Sequence, residues 1–171
     1  MSTIPEKIVN FNVYSDADKL VGVAAEVTLP DFEAMTETVS GAGIAGEYES
    51  ATPGHFSSQT IEIPFRSISD PSFKFLQNKG QTIILRAAQQ SYDVSSGKTN
   101  IRPLKVTIKG LPKGLNLGKV GVGTPTETTN TIEILYIKIE ENGVTLLELD
   151  KLNFIFIVNG KDLLEDVRNA I

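Results

Sequence analysis

The stretch Thr128–Val158, TTNTIEILYIKIEENGVTLLELDKLNFIFIV, predicts a long β-hairpin. Two runs rich in β-branched residues, 128–140 and 144–158, flank the tripeptide Glu141-Asn142-Gly143. Asn-Gly between such runs is typical of a tight hairpin turn, because both residues tolerate positive φ. Apolar residues alternate with polar ones through the first run, which is the period of a strand with one face in a core. The chain is therefore expected to be built mainly from antiparallel strands.

Two further hairpins and one single strand are predicted upstream. Residues 8–14 and 20–29 pair across one turn, and residues 82–94 and 100–109 pair across Ser95–Lys98. In the last arm the inward residues are Leu104, Val106 and Ile108, and the outward residues are Lys105, Thr107 and Lys109. The strand at 57–66 directs Ile61, Ile63 and Phe65 to one face.

Helices are predicted at two places only. Asp70 as N-cap, Pro71 at the first helical position and Gly80 after the end favour a helix over 70–79, with Phe73, Phe75 and Leu76 towards the core. Residues 161–171 form a short amphipathic helix whose apolar stripe is Leu163, Leu164, Val167 and Ile171. Residues 110–123, rich in Gly, Pro and Lys, are expected to form an exposed loop.

Together these elements predict a mainly β (α+β) fold in a single domain, residues 1–171. The expected architecture is a β-sandwich or barrel of long antiparallel hairpins with one internal helix and a short C-terminal helix. Strands this long leave open edges, which template aggregation unless they are covered or paired. One solution is controlled pairing, in which the sheet of each copy continues into the next copy of a closed ring.

Composition excludes several classes of protein. The 171 residues include no cysteine, so disulfides, thiolate metal sites and a cysteine nucleophile are absent. The net charge of −5 argues against tight nucleic-acid binding, which depends on phosphate neutralisation by Lys and Arg. No apolar run is long enough to span a membrane, and no signal peptide is recognisable at the start, so folding in the cytoplasm is expected.

No motif predicts catalysis, a cofactor or a metal. Gly41-Ala-Gly43-Ile-Ala-Gly46 matches a dinucleotide fingerprint, but no helix follows it and Glu47 and Glu49 would repel phosphate. A nucleotide-dependent enzyme using this segment is retained only as a hypothesis for a thermal-shift test with NAD or ATP. His55 is the only histidine and has no predicted partner. The paired carboxylates fall in turns or on exposed faces.

A polar strand face has two interpretations. Arg86, Lys105 and Lys109 lie on neighbouring predicted strands and could form a positive stripe. The simpler interpretation is a solvent-exposed sheet face, and the sharper one is the wall of a channel. The possible lumen-facing residues are Ser58, Thr60, Glu62, Arg86, Gln90, Lys105, Thr107 and Lys109.

Across nearly its whole length the chain resembles the major tail tube proteins of contractile-tailed phages, a family also found in phage-tail-like bacteriocins. The resemblance follows Val27-Thr-Leu-Pro30, the glycine-rich segment 41–46, and Tyr92-Asp-Val-Ser-Ser-Gly97. It is densest at the end, in NGVTLLELDKLN (142–153), VNGKDLL (158–164) and Arg168-Asn169. Each motif is weak alone, but their order and spacing are specific.

The resemblance implies a structural, non-enzymatic subunit of the inner tube of a contractile tail, with six copies in a ring and rings stacked around a channel for DNA or ions. It further implies assembly in the host cytoplasm, a place in the virion tail, and tail sheath, baseplate and terminator proteins as partners. DNA would pass without specific binding, and no membrane insertion is expected. A secreted tube protein of a bacterial contractile injection system is the alternative.

The resemblance also implies that a long loop, placed at about 31–55, reaches the neighbouring ring. From its residues alone, the segment is expected to be able to form a strand around Glu33–Val39 and to be irregular in its glycine-rich part. The predicted interface residues are Thr36, Glu37, Val39, Gly41, Gly43, Ile44 and Gly46.

Overall fold

The computed structural model describes residues 2–171, and antiparallel strands dominate it. The strands are β1 (Thr3–Ser15), β2 (Asp18–Leu20), β3 (Ala34–Ser40), β4 (Glu47–Phe56), β5 (Thr60–Phe65), β6 (Gln81–Asp93), β7 (Lys98–Asn116), β8 (Thr128–Glu141), β9 (Val144–Asp150), β10 (Ile155–Val158) and β11 (Lys161–Asp162). The helices are α1 (Asp70–Lys74) and α2 (Glu165–Ala170). The expected mainly β class with one internal and one C-terminal helix is confirmed.

The main sheet branches in the middle of β8. Its strand order is β11-β10-β9-β8-β7-β6-β1-β2, and β5 pairs with β8 off this path. Residues 128–133 of β8 pair with β5, whereas residues 136–141 pair with β9. Between these halves the Ile134 N–H donates to the Gln59 carbonyl (2.9 Å) and the Lys151 N–H donates to the Leu135 carbonyl (3.0 Å). The strand therefore changes partner at Leu135.

The sheet closes on itself through residues 21–29. Only Asp18–Leu20 pairs with β1, so the predicted strand 20–29 is largely wrong as a partner of residues 8–14. Gly22 has φ +91°, a conformation that releases the chain from β1 and directs it towards β5. Isolated bridges then join Val23 to Phe65 and Thr28 to Glu62. The same segment thus connects the β1 side to the β5 side.

The core lies inside this closed sheet. Its buried residues are Val13, Ile61, Ile63, Phe65, Phe75, Ile83, Leu85, Ala87, Val106, Ile108, Ile132, Ile134, Ile137 and Leu149. The inward faces predicted for residues 61–65 and for Val106 and Ile108 are confirmed, and Leu104 is half-buried against the same core. The alternating pattern predicts the buried residues correctly here because one face of each strand is excluded from water. Each such side chain contributes roughly 1.5–3 kcal/mol of transfer free energy.

Helix α1 is shorter than predicted. Ser69 is its N-cap, Asp70 lies in the first turn, and the helix ends at Lys74. Phe75 is buried against Phe65, with ring centroids 6.4 Å apart. The prediction that Phe73 and Leu76 face the core is wrong, because both are 47% exposed. A helix of five residues turns only one narrow side to the core, and Ser72 and Phe75 are the buried residues there.

Strand β7 continues through a segment that was predicted to be a loop. The expectation of an exposed loop over 110–123 is wrong for residues 110–116. Bulges between Lys109 and Gly110 and between Pro112 and Gly114 accommodate the residues that suggested a break. A methyl group at Gly110 would lie 2.1 Å from the Glu133 carbonyl oxygen, so glycine allows the two strands to approach. Only residues 117–127 form a loop.

The predicted strand 144–158 is two strands joined by a turn. The Asp150 carboxylate accepts hydrogen bonds from the backbone of Leu152 and Asn153 (both 3.1 Å) and from the Asn153 amide (2.7 Å). Phe154 has φ +55° and completes the reversal. Side-chain bonding of this kind competes with the sheet ladder, which explains the break.

The C-terminal helix begins later than predicted. Residues 161–162 are strand, and α2 covers only Glu165–Ala170. Of the predicted stripe only Leu164 is buried, while Ile171 is 87% exposed. Within residues 2–171 neither helix is both apolar and long enough to cross a lipid bilayer.

Candidate assembly surfaces

Residues 34–56 form a separate two-stranded hairpin outside the main sheet. Strand β3 pairs with β4 from Thr36 opposite Ala51 to Ser40 opposite Glu47. Strand β3 confirms the β-capable stretch Glu33–Val39, and the glycine-rich residues 41–46 are irregular as expected. The expectation of a loop is wrong for residues 47–55, which belong to β4. Gly43 and Gly46 have φ of +86° and +97°, which is why glycine occupies the turn.

The glycines at the tip of this hairpin have open space around them. A methyl group at Gly41, Gly43 or Gly46 would have no atom within 4 Å. Apolar side chains remain open along the hairpin: Met35 near the base is 53% exposed, and Ile44 and Tyr48 at and beside the tip are 41% and 56% exposed. Of the predicted interface residues, Thr36, Glu37, Gly41, Gly43, Ile44 and Gly46 are exposed and Val39 is half-buried. The structure thus groups all seven on one projecting element.

The hairpin also lies in an unusually acidic part of the chain. Residues 20–65 contain no Lys or Arg. Their carboxylates are Glu26, Asp31, Glu33, Glu37, Glu47, Glu49 and Glu62. Our sequence predictions overlooked this asymmetry, although counting charge along the chain would have found it. The projecting arm therefore presents negative charge with no cation of its own.

The base of the hairpin is fixed by aromatic packing. Phe56 contacts Phe32 and Phe156 at centroid distances of 5.4 and 5.1 Å. His55 contacts Phe154 at 5.7 Å, and its Nδ1 lies 2.8 Å from the Pro53 carbonyl oxygen. The only histidine is thus engaged in structural contacts. The base of the hairpin is thus held in place, and the glycines of its tip have open space around them.

A second candidate surface is the outer face of β6, β7 and β8. Arg86 lies directly opposite Lys105, and Thr107 and Lys109 follow on the same side of β7. Glu140 lies 3.9 Å from Lys105 and 3.3 Å from Lys138. The predicted positive stripe exists, but carboxylates from the neighbouring strand partly neutralise it.

Two tyrosine rings on this face lie next to cations. The Arg86 guanidinium lies over the Tyr14 ring (5.9 Å) and the Lys109 ammonium over the Tyr136 ring (5.1 Å). Burial, and then the nearby Glu148 carboxylate, raises the pKa of Tyr136 to about 12. The hydroxyl therefore stays protonated and donates to Glu148 at 3.1 Å. The face presents hydroxyls and mixed charge.

Of the other four predicted lumen residues, Gln90 shares the face of Arg86 on β6 and three lie elsewhere. Ser58 precedes β5 and donates to Glu133 (2.7 Å), which also accepts from Lys113 (3.3 Å). Thr60 and Glu62 follow on β5, which pairs with the first half of β8 and does not adjoin β6. Gln90 donates to Glu6 at 2.6 Å near the far end of β6. Because β8 changes partner, the eight residues do not form the single polar face that was predicted.

A third surface is an unpaired edge of β1. On one side the strand pairs with β6 along its length, but on the other β2 covers only residues 13–15. Residues 3–12 have no second backbone partner within the described chain. Ile4, Ile8 and Val9 on this stretch are each about half exposed. Such an edge can accept a strand from another chain.

No arrangement resembling an active site accompanies these surfaces. Within residues 2–171 no three His, Cys, Asp or Glu residues are grouped closely enough to hold a metal ion. The motif Gly41–Gly46 is a hairpin tip between β3 and β4, whereas phosphate binding requires the N-terminus of a following helix. The nucleotide hypothesis therefore lacks its structural context.

Comparison with known proteins finds a matching family model and relatives that cover nearly the whole chain. The family model described as phage tail tube protein FII matches residues 5–171. The tail tube protein of Escherichia phage P2 is 26% identical over 170 residues, which cover 98% of each chain. The major tail tube protein of Serratia phage KSP20 is also 26% identical, over 95% of this chain and 93% of the relative.

Proposed function

The chain belongs to the phage tail tube protein FII family, and from that membership we propose that six copies close into a ring and that rings stack into the inner tube of a contractile tail. The proposed tube encloses a channel for DNA or ions. The subunit is structural and performs no catalysis, in keeping with relatives that are named tail tube proteins. The observation that supports ring formation most directly is the unpaired edge of β1.

Ring closure follows from that edge. A strand with free N–H and C=O groups is stabilised when a neighbouring copy supplies the missing hydrogen bonds. In a closed ring every copy both offers and accepts an edge, so no edge stays open and growth in the plane stops. In the proposed ring the β1 edge, residues 3–12, continues the sheet into the adjacent subunit.

The outer face of β6, β7 and β8 is the proposed channel wall. A wall rich in unpaired lysines would hold DNA, because every neutralised phosphate releases a counterion and strengthens binding. Here Lys105 and Lys138 share Glu140, and Lys109 lies over Tyr136. The lumen residues in this proposal are Arg86, Lys105, Thr107 and Lys109, with Gln90 on the same side of β6. Ser58, Thr60 and Glu62 are left outside it.

The hairpin 34–56 is the proposed arm between rings. At and beside its tip lie the exposed Ile44 and Tyr48 and several carboxylates, and its glycines have open space around them. Interfaces between permanently associated copies need surface of this kind that is unsatisfied in the monomer. The interface residues are those predicted from the sequence, Thr36 to Gly46.

The proposed place of action is the virion tail, after assembly in the cytoplasm of the bacterial host. The sheath would surround the tube, and baseplate and terminator proteins would bound its two ends. A tail-like bacteriocin particle is compatible with the same subunit. The alternative, a secreted tube of a bacterial injection machine, is distinguished by whether neighbouring genes encode capsid and head-completion proteins or an export apparatus.

Electron microscopy of the purified full-length chain at increasing concentration tests the proposal. We expect six-fold rings in end views and hollow rods in side views. A variant with Ile8→Pro and Val9→Pro removes two backbone N–H donors from β1, the strand that carries the free edge, and should abolish rings. The matched control, Val122→Pro in the exposed loop 117–127, should still form them. A chain that stays monomeric at every concentration, with or without a baseplate preparation as initiator, contradicts the proposal.

A further inference from the structure

Residues 66–79, between β5 and β6, are held on the closed sheet by buried contacts. Ser72 and Phe75 of this segment are buried. The Asn130 side chain of β8 donates to the Ser72 carbonyl oxygen (2.9 Å), and the Phe75 N–H donates to the Pro71 carbonyl oxygen (3.1 Å). The outer side of the segment is therefore a fixed surface, called the 66–79 surface below.

The 66–79 surface is apolar at its centre and positively charged at its ends. Ile68, Phe73 and Leu76 are 43%, 47% and 47% exposed. Arg66 precedes them, Lys79 follows them, and both cations are exposed. Neither cation forms an ion pair in the part of the chain that the structure describes. An apolar patch rimmed by charged residues is typical of an interaction site.

The carboxylates near this surface do not cancel its positive charge. Asp70 lies 3.0 Å from the Lys74 ammonium. The hydrogen bond and charge of Asp70, and more weakly the charge of Asp18 on β2, raise the pKa of Lys74. Strand β2 adds no net charge, because Lys19 follows Asp18. The segment itself has three cations and one carboxylate, a formal charge of +2, which favours a negatively charged partner.

The hairpin 34–56 has the complementary features. It contains three carboxylates and no Lys or Arg, a formal charge of −3 with His55 neutral. Glu47 and Glu49 alternate along β4 and therefore lie on one face of the hairpin. Ile44, at the tip, is 41% exposed. An apolar tip followed by a negative face matches a surface that has an apolar centre and cationic ends.

The hairpin that fits this surface belongs to another copy. Within the described chain no hydrogen bond or ion pair joins residues 34–56 to residues 66–79. The hairpin ends at Phe56, before β5, and the surface begins at Arg66, after β5. A strand of this length spans roughly 17–20 Å. Head-to-tail stacking of identical copies brings the hairpin of one copy towards the surface of the next.

We infer that the hairpin 34–56 of one copy docks on the 66–79 surface of a copy in the next ring. Its apolar tip, Ile44, then contacts the exposed apolar residues, and its carboxylates lie near Arg66 and Lys79. The contact rests on the proposed stacking and names the surface that receives the proposed arm. Exposed ion pairs contribute little stability, so the charges set the orientation of the hairpin and the apolar contact supplies most of the affinity.

Charge reversal tests the contact. Arg66→Glu together with Lys79→Glu should raise the lowest concentration that supports tubes by about tenfold or more, because carboxylates then face carboxylates. The matched control, Lys98→Glu with Lys161→Glu, changes two exposed cations and alters the net charge equally. It should change that concentration by less than about threefold. Both variants should keep the melting temperature of the unmodified chain, and equal effects on assembly contradict the inference.

Restoration of assembly is the sharper measurement. Glu47→Lys and Glu49→Lys, added to the first double variant, exchange the charges across the contact. The fourfold variant should form tubes at a concentration within about threefold of the original one, since effects at contacting residues are not additive. The same two lysine substitutions in the unmodified chain should impair assembly. If the fourfold variant assembles no better than either double variant, the hairpin carboxylates do not meet these cations and the inference is wrong.

Disulfide trapping locates the apolar part of the contact, because the chain has no cysteine of its own. Ile44→Cys copies are mixed with Leu76→Cys copies, assembled into tubes and oxidised. We expect a reducible dimer of about twice the 18.5 kDa subunit mass, formed only when both variants are present. Ile171→Cys, which is also exposed, replaces Ile44→Cys as the matched control and should give no dimer with Leu76→Cys.

A different occupant, such as a protein that surrounds the tube, would leave the 66–79 surface open in bare tubes. Leu76→Cys in assembled tubes would then react with a maleimide reagent as fast as in the monomer, and no mixed dimer would form. That result overturns the inference while leaving the tube proposal intact. If the unmodified chain forms no tubes at all, the inference falls together with the proposed function.

Discussion

The closed sheet and the projecting hairpin use the same kind of secondary structure in opposite ways. In the closed sheet, strands β5 to β8 direct their apolar residues inward, and Ile61, Ile63 and Ile132 are fully buried. In the hairpin, β3 and β4 pair only with each other, and Met35, Ile44 and Tyr48 stay exposed. The first region satisfies its side chains within one subunit. The second region leaves its apolar side chains exposed.

The difference separates folding from assembly along the chain. Residues whose contacts are complete in the monomer should govern its stability, whereas residues without contacts should govern polymerisation. Charge follows the same division, because residues 20–65 have seven carboxylates and no Lys or Arg, while the rest of the chain has a small positive excess. Four experiments test this division.

The largest expected effect is on the stability of the closed sheet. Ile61→Ala removes a fully buried side chain and should lower the free energy of unfolding of the monomer by about 2–5 kcal/mol. Ile44→Ala, at the hairpin tip, is the matched control and should change it by less than about 0.5 kcal/mol. Urea unfolding followed by circular dichroism measures both. Similar losses for the two variants would show that the hairpin is part of the folded core.

The next effect concerns two glycines on the same strand, β7. Gly110→Ala would place a methyl group 2.1 Å from the Glu133 carbonyl oxygen, so it should destabilise the monomer by about 1–3 kcal/mol. Gly114→Ala meets nothing within 4 Å and should be neutral or stabilise by up to about 1 kcal/mol. Thermal unfolding distinguishes them. If Gly114→Ala is the worse of the two, close strand approach is not what requires glycine here.

A smaller effect on stability, but a clear one on assembly, is expected for the acidic arm. Replacing Glu37, Glu47 and Glu49 by Gln should move the melting temperature little, because exposed charges contribute only about 0–1 kcal/mol. We expect polymerisation of the unmodified chain to weaken as salt rises from about 0.05 to 0.5 M, since screening shortens the reach of the carboxylates. The triple variant should lose this dependence in light-scattering assays. An unchanged salt response in the triple variant would show that the charge of the hairpin does not contribute to assembly.

The smallest effect lies at the β6–β7 turn of the closed sheet. Hydrogen bonds from the Ser95 hydroxyl (2.6 Å) and backbone (2.9 Å) lower the pKa of Asp93 to about 2. Because the folded-state pKa is lower than the unfolded one, this stabilisation is complete above about pH 4 and is lost as the pH falls towards 2. Asp93→Asn should therefore make unfolding less dependent on pH in that window. A pH series of urea midpoints for both proteins would show whether the slopes differ.

Much of the closed sheet was predictable because its signals are local. Alternation identified the buried faces of β5 and of β7, and Asn142-Gly143 identified the β8–β9 turn. The misses have identifiable physical causes. Bulges at Gly110 and Pro112 allowed β7 to continue through residues that usually end a strand. Hydrogen bonds to Asp150 divided the predicted strand 144–158, although its apolar pattern is nearly continuous.

The candidate surfaces were predicted less completely than the fold. The predicted interface residues 36–46 lie on one hairpin, and their role at an interface stays a prediction. The polar face was predicted as one set, but Ser58 and Glu62 are separated from Arg86 and Lys105 by the change of partner in β8. The sequence pattern did not identify the 66–79 surface, since Phe73 and Leu76 were predicted to face the core.

The alternation of apolar and polar residues, the positions of the turns and the family resemblance could all be identified in the amino-acid sequence. They depend on residues that are neighbours along the chain. Only the tertiary structure decided which strand edges are left over. That choice depends on residues far apart in sequence: β8 can change partner at Leu135 because β5 and β9 compete for the same edge. Once residues 21–29 close the sheet on β5, the edge of β1 has no partner left within the subunit. Backbone groups without partners are stabilised only by pairing elsewhere, and in this molecule that requirement points to further copies of the same chain.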